Sequence, residues 1–201
     1  MPDPADGPVA EFVEVMRRLR AECPWKQEQT HRSLVRYLLE ETYETVDAID
    51  EAEASGEFGH LAEELGDLLL QVVFHAVIAE ERGDFSLDDV ARGITAKMRR
   101  RNPHVFGDAM PDDHLTADQV DERWQRIKAA EQSAPSELPS ALPALLYADK
   151  ALGRRERAGL TLDVDPDSPD LGERLLALVA EARAQGVDPE QALRDAVRRR
   201  Q

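Results

Sequence analysis

Cysteine is almost missing from this chain of 201 residues: Cys23 stands alone, which excludes an internal disulfide, and no His or Cys pair has zinc-finger spacing. Aromatics make up only 5%, and together with abundant Ala, Leu, Glu and Arg their scarcity favours an all-helical protein. Positive charge is also short. Lys and Arg total 25 against 41 Asp and Glu, a net charge of -16 that opposes any general attraction to nucleic acid or to an anionic membrane surface. Anionic partners must then be met locally, through a metal ion or a small basic patch. Long apolar runs are absent too. The longest, Leu68 to Ala79, is broken by Gln71 and His75 and falls short of the roughly 20 residues a membrane span requires, so it reads as a buried core helix. The opening MPDPADGPVAEF has neither a basic n-region nor an apolar h-region, so no secretory signal is expected and the expected location is the cytoplasm.

Apolar residues at helical spacing are plentiful. Phe12, Val15, Met16 and Leu19 predict a first helix ending before Cys23-Pro24, followed by a polar turn. Helices are predicted over about 33–54, stopped by Ser55-Gly56, and about 58–82, stopped by Gly83. Ser86 with Asp89 forms a capping-box pattern that opens a helix reaching Arg101, and Asn102-Pro103 breaks it. A loop through Gly107 and Pro111 leads to Thr116, the expected cap of a helix carrying Trp124. The Ser- and Pro-rich stretch 133–143 reads as a linker, and three short helices are expected beyond it. The predicted organisation is a main domain over 1–132, a linker over 133–143 and a shorter segment over 144–201. That last segment echoes the first: Glu64-Leu-Gly-Asp67 is answered by Asp170-Leu-Gly-Glu173, and the arginine run Arg99 to Arg101 by Arg198 to Arg200.

Two acidic pairs carry the chemistry. Glu41 and Glu44 in EETYE, and Glu64 and Asp67 in EELGD, are each three residues apart in helix-patterned segments, so each pair shares a helix face. In so acidic a chain, a solvated face is the ordinary explanation of one such pair. Here both pairs sit among core-type leucines, Gly66 interrupts the second helix as though something approached its backbone, and only Arg32 and Arg36 are nearby to offset the charge. A divalent cation held by four carboxylates accounts for this, and all-oxygen ligation favours Mg2+ or its substitute Mn2+ over zinc. A di-iron bundle would need Glu-x-x-His, which is absent. The EF-hand echo at Asp163, Asp165 and Asp167 fails at Ser168 and Arg174. Lys97, Arg100 and Arg101 end their helix within one turn, where they either complement the helix dipole or grip phosphate. Trp25 and Trp124 are each packing residues or stacking surfaces for a base. No arrangement involving His31, His60, His75 or His114 is legible; His75, beside Val72, Val73 and Phe74, reads as packed.

The runs CPWKQEQTHRSLVRYLLEETYETVDAI, LAEELGDLLLQVVFHAVIAEERGDFSLDDV, KMRRRNPHVFGD and RWQRIKAAE together resemble the MazG nucleoside triphosphate pyrophosphohydrolases over about residues 9–132. The resemblance implies an all-α, four-helix-bundle enzyme, working as an intertwined homodimer, that converts nucleoside triphosphates to monophosphate and pyrophosphate with Mg2+, a nucleotide-pool house-cleaning activity. It implies metal ligation by Glu41, Glu44, Glu64 and Asp67, and further ligation or water activation by Glu40 beside Glu41. Phosphate contacts fall to Lys97, Arg100 and Arg101, and a position near the nucleotide to Trp124. Asn102 replaces a common His, and Lys26 a common Asp; neither touches the acidic motif. The tail resembles the later half of a second family domain that lacks ExxE, so a packing or dimer-stabilising role is expected of it. Narrower alternatives are a dUTP or phosphoribosyl-ATP pyrophosphohydrolase; an alternative of another kind is a catalytically silent helical partner-binding protein.

Overall fold

A computed structural model describes residues 7–107, 115–131, 137–160 and 163–200, and among these it contains ten helices and no strand. The chain divides into two compact units at Ile127 and Lys128. His114, the expected loop position Pro111 and the first part of the expected linker, 133–136, lie outside the described residues.

In the first unit, α1 (Gly7–Glu22) turns Val13 and Met16 inward. It ends where Pro24 disfavours helical geometry in Cys23, and that proline then opens the short α2 (Pro24–Glu28) where a polar turn was expected. Proline at the first helical position loses no hydrogen bond, which is why a helix can restart there. Next, α3 (Val35–Ser55) buries Thr45, Ala48 and Ala52, small side chains that admit a close neighbour, and ends on Gly56 at φ 77°, a left-handed conformation that glycine adopts without strain. The neighbour is α4 (Gly59–Glu81), whose second half buries Gln71, Val73, Phe74 and Ala76 to Ala79.

The core joins Val13 and Met16 of α1, Leu34 just before α3, and Val73, Phe74, Val77 and Ile78 of α4. Each large apolar side chain removed from water contributes about 1.5–3 kcal/mol, so this cluster dominates the unit's stability. Rim ion pairs align α1 on α4: Arg17 donates to Glu80 at 2.8 and 3.0 Å, and Arg20 to Glu81 at 2.8 and 3.1 Å.

The capping box is present at α5 (Leu87–Arg101): Ser86 Oγ accepts from the Asp89 amide and Asp89 accepts from the Ser86 amide at 2.9 Å, while the Ser86 hydroxyl bond at 2.6 Å, and then that amide bond, hold the Asp89 carboxyl down at about 2. No α5 residue is buried. A one-turn helix, α6 (Pro103–Phe106), occupies the start of the expected loop. Thr116 caps α7 (Ala117–Glu131) through reciprocal bonds with Gln119. Gly66 corrects an expectation, since nothing lies within 4 Å of where its Cβ would be.

In the second unit, α8 (Ala144–Arg157) and α9 (Leu171–Ala184) pack together and α10 (Pro189–Arg198) against both. Leu152, Ala177 and Val179 are buried. A Cβ at Gly153 would come within 2.8 Å of the Arg183 guanidinium, so the glycine makes room for the group that ties α9 to α8.

Candidate functional site

Helices α3 and α4 carry the acidic pairs to one seam. Thr45, buried between them, donates its hydroxyl to the Glu41 carbonyl at 2.7 Å and lies 3.4 Å from the Glu64 carbonyl, placing the two acidic turns side by side. Glu41, Glu64 and Asp67 each offer a carboxylate oxygen within 4.8 Å of the others. Glu41 and Glu64 are half-buried and Asp67 is exposed. Glu44 and Glu40 are exposed on α3 and do not join this triad, although both charges bear on Glu41.

Burial, then the charges of Asp67, Glu44, Glu64 and Glu40, hold the Glu41 carboxyl above its ordinary range. Among the described residues no lysine or arginine pairs with any of the three. Arg36 instead lies over the Tyr37 ring, 4.9 Å from its centre. Three converging oxygens that no lysine or arginine neutralises fit a hard divalent cation, which would offset the repulsion that adds to burial at Glu41.

One neighbour was not legible beforehand. His60 meets Glu64 at 3.0 Å through Nε2 and Glu51 at 3.0 Å through Nδ1, and the bond to Glu51 leads in raising its pKa. The spacing of His60 and Glu64, one helical turn, was readable; the crossing to Glu51 was not.

The basic residues gather on α5. Lys97, Arg100 and Arg101 share a face, Lys97 and Arg100 are exposed, and the Arg101 guanidinium lies over the Trp124 ring at 4.9 Å. A separate cleft of about 910 Å³ runs between α1, the end of α4 and the start of α5. It contains none of the acidic pairs, and its Glu14 and Glu80 are both engaged by Arg17, so the α3–α4 seam is the stronger candidate site.

Residues 29–106 match the MazG nucleotide pyrophosphohydrolase domain. The chain is 37% identical over 218 residues to the nucleoside triphosphate pyrophosphohydrolase/pyrophosphatase MazG of Thermotoga maritima, covering 94% of this chain and 81% of that one. It is 38% identical over 187 residues to the nucleoside triphosphate pyrophosphohydrolase of Escherichia coli K12, covering 88% and 68%. An uncharacterized 26.1 kDa protein of Streptomyces cacaoi is 45% identical over 192 residues, covering 92% and 76%. The chain belongs to the MazG nucleotide pyrophosphohydrolase family.

The MazG match encloses both acidic pairs, the basic run of α5 and His60, and stops before Trp124. The DLGE tetrapeptide of the tail is built differently from ELGD. Asp170 precedes α9 as its N-cap and accepts from the Glu173 amide at 3.1 Å, whereas Glu64 and Asp67 lie inside α4.

Proposed function

We propose that this chain hydrolyses nucleoside triphosphates, ribo or deoxy, to the monophosphate and pyrophosphate with Mg2+, which Mn2+ can replace. The observation that carries the reading is the convergence of Glu41, Glu64 and Asp67, with no lysine or arginine counter-ion among the described residues, inside the family-matched region. Those three residues hold the cation, and Glu44, one turn along α3 from Glu41, completes the set when its side chain turns inward. A cation bound there supplies Lewis acidity to the attacking water and screens the phosphates. Glu40 and Glu41 are the proton acceptors for the water that attacks the α-phosphorus. Lys97, Arg100 and Arg101 bind the departing pyrophosphate, and Trp124, already stacked with Arg101, borders the nucleotide.

The working form in this reading is a homodimer whose helices complete a four-helix bundle. Supporting it, α4 exposes Leu65, Leu69 and Val72 and α5 exposes Val90, Ile94 and Met98, each set on one helical face. We retain the division into a catalytic domain (1–132), a linker (133–143) and a degenerate second segment (144–201) that binds no catalytic metal. A nucleotide-pool role in the cytoplasm accords with the acidic chain. No described helix is long and apolar enough to cross a membrane.

The test is incubation with each common NTP and dNTP plus Mg2+ and separation of the products. Monophosphate plus pyrophosphate is expected; diphosphate plus phosphate would refute the cleavage position. Strong preference for one nucleotide would favour the dUTP or phosphoribosyl-ATP alternative. Absence of both turnover and Mg2+-dependent stabilisation would favour a silent binding protein.

A further inference from the structure

His31, in the turn that leads into α3, meets His75 of α4, with their Nδ1 atoms 2.8 Å apart. The ring planes agree within 2° and the centroids are 5.1 Å apart. That centroid separation equals the nitrogen–nitrogen distance plus one centroid-to-nitrogen radius from each ring. The rings therefore lie edge to edge in one plane, and the contact is an in-plane hydrogen bond, although parallel planes alone would suggest face stacking.

Such a bond needs one Nδ1 that carries hydrogen and one that is bare, so the two neutral rings must adopt opposite tautomers. Which is which follows from the far side of His75, where Nε2 is buried with no hydrogen-bond partner. An orphaned buried N–H is costlier than an orphaned acceptor. His75 thus carries its proton on Nδ1 and donates; His31 accepts at Nδ1 and keeps its proton on Nε2. Any further proton taken up with the bond intact places an N–H on the buried Nε2 of His75. Acid therefore opposes this contact.

The pair joins the two strands of chain that carry the carboxylates. His75 stands two turns from Asp67, about 12 Å along α4 at 1.5 Å per residue, and a slip of a single residue between the helices would break the bond. We propose that the His31–His75 hydrogen bond is a positioning brace, sensitive to acid, that sets the register of α3 against α4 and hence the spacing of Glu41 from Glu64 and Asp67. Only the link to metal binding rests on the proposed function; the bond and its tautomers do not.

Charged groups on the surrounding elements are otherwise engaged. Arg20 of α1 donates to the carbonyls of Lys26 and Gln29 and to Glu81 of α4; Lys26 of α2 lies 4.9 Å over Phe74; Arg36 of α3 lies over Tyr37; and Arg32, beside His31, is exposed. Burial first, then the charge of His31, keeps His75 below the ordinary imidazole range. The folded state then binds fewer protons than the unfolded one in mild acid. The brace's contribution is complete above the usual imidazole value and falls as pH drops through it.

The direct test is nitrogen-15 NMR of the full chain labelled at histidine. The expected result is an Nδ1–H tautomer for His75, an Nε2–H tautomer for His31, and a neutral His75 at a pH where a free imidazole is charged. Two Nε2–H rings, or a His75 that titrates like a free imidazole, would overturn the brace. The second test is His75→Phe, which keeps an apolar body in a half-buried position. Its melting temperature should lose much of the wild-type fall between about pH 7 and 5. Titration calorimetry with Mg2+ alone should show severalfold weaker binding, and the Mg2+ concentration for half-maximal turnover should rise more than kcat falls. Unchanged Mg2+ affinity would overturn the register role. Wild-type protein that binds no Mg2+ would instead refute the site reading, leaving the tautomer result to decide the bond.

Discussion

At the seam of α3 and α4, Glu41 converges with Glu64 and Asp67; at the seam of α8 and α9, Arg183 reaches Asp149 at 2.6 Å and Glu156 at 2.6 Å. Both are helix pairs followed by a glycine in left-handed conformation, but the first gathers three carboxylates while the second sets two carboxylates around one guanidinium. The second seam is complementary as it stands, and its neighbours raise the Arg183 pKa further. In the first, burial and then the neighbouring carboxylates push the Glu41 carboxyl up, and a cation would make the cluster complementary. Charge that closes a helix pair by itself reads as structure; charge that leaves it open to a cation reads as function.

The contrast is broken most severely at the first seam. Asp67→Asn should lower turnover by about 100-fold or more while leaving helical content and melting temperature intact, because the lost carboxylate also relieves repulsion. Turnover assays beside circular dichroism check both halves. Arg183→Ala should show the reverse: a loss of about 1–3 kcal/mol, read as faster hydrogen exchange in α8 and α9, with no change in the Mg2+ requirement. Asp170→Ala sharpens the comparison, since a cap costs about 1 kcal/mol and a ligand would cost activity. Denaturant melts of the tail helices should record the first, and Mg2+ titration should be unaltered. The smallest effect is with pH. The bond from Arg183 holds Glu156 below the ordinary carboxylate range, so its stabilisation is complete above the unfolded value, 4.5, and declines as pH falls through the lower folded one. Exchange rates in α8 and α9 should rise in that acid window, and Glu156→Gln should remove the dependence.

Much of this was legible beforehand because it is local. The Ser86–Asp89 capping box, the glycine stops and the proline at α5's end obey rules that span a few residues. So does the pairing of carboxylates on one helix face. The short α2 was misjudged because Pro24 breaks one helix and starts another within a single position. Gly66 was misjudged because a mid-helix glycine signals room without saying what uses it.

The echo between ELGD and DLGE is a pattern of sequence that the structure builds in two ways. The same tetrapeptide pattern lies inside α4 but straddles the start of α9, where the first acid serves as a cap. His60 and the His31–His75 pair were silent for a related reason. A histidine's role depends on what faces each ring nitrogen, and in both cases one partner comes from another element, 9 or 44 residues away.

By itself the sequence determined the helical class, most helix ends and the ExxE and ExxD ligand candidates, since each follows from spacing within one turn or from one residue's backbone preference. Only the tertiary structure decided which acids meet, that Glu41, Glu64 and Asp67 converge while Glu40 and Glu44 stay outside, and that a histidine of α4 meets one in the turn leading into α3. Helical periodicity states which face a side chain occupies. What stands opposite that face depends on packing.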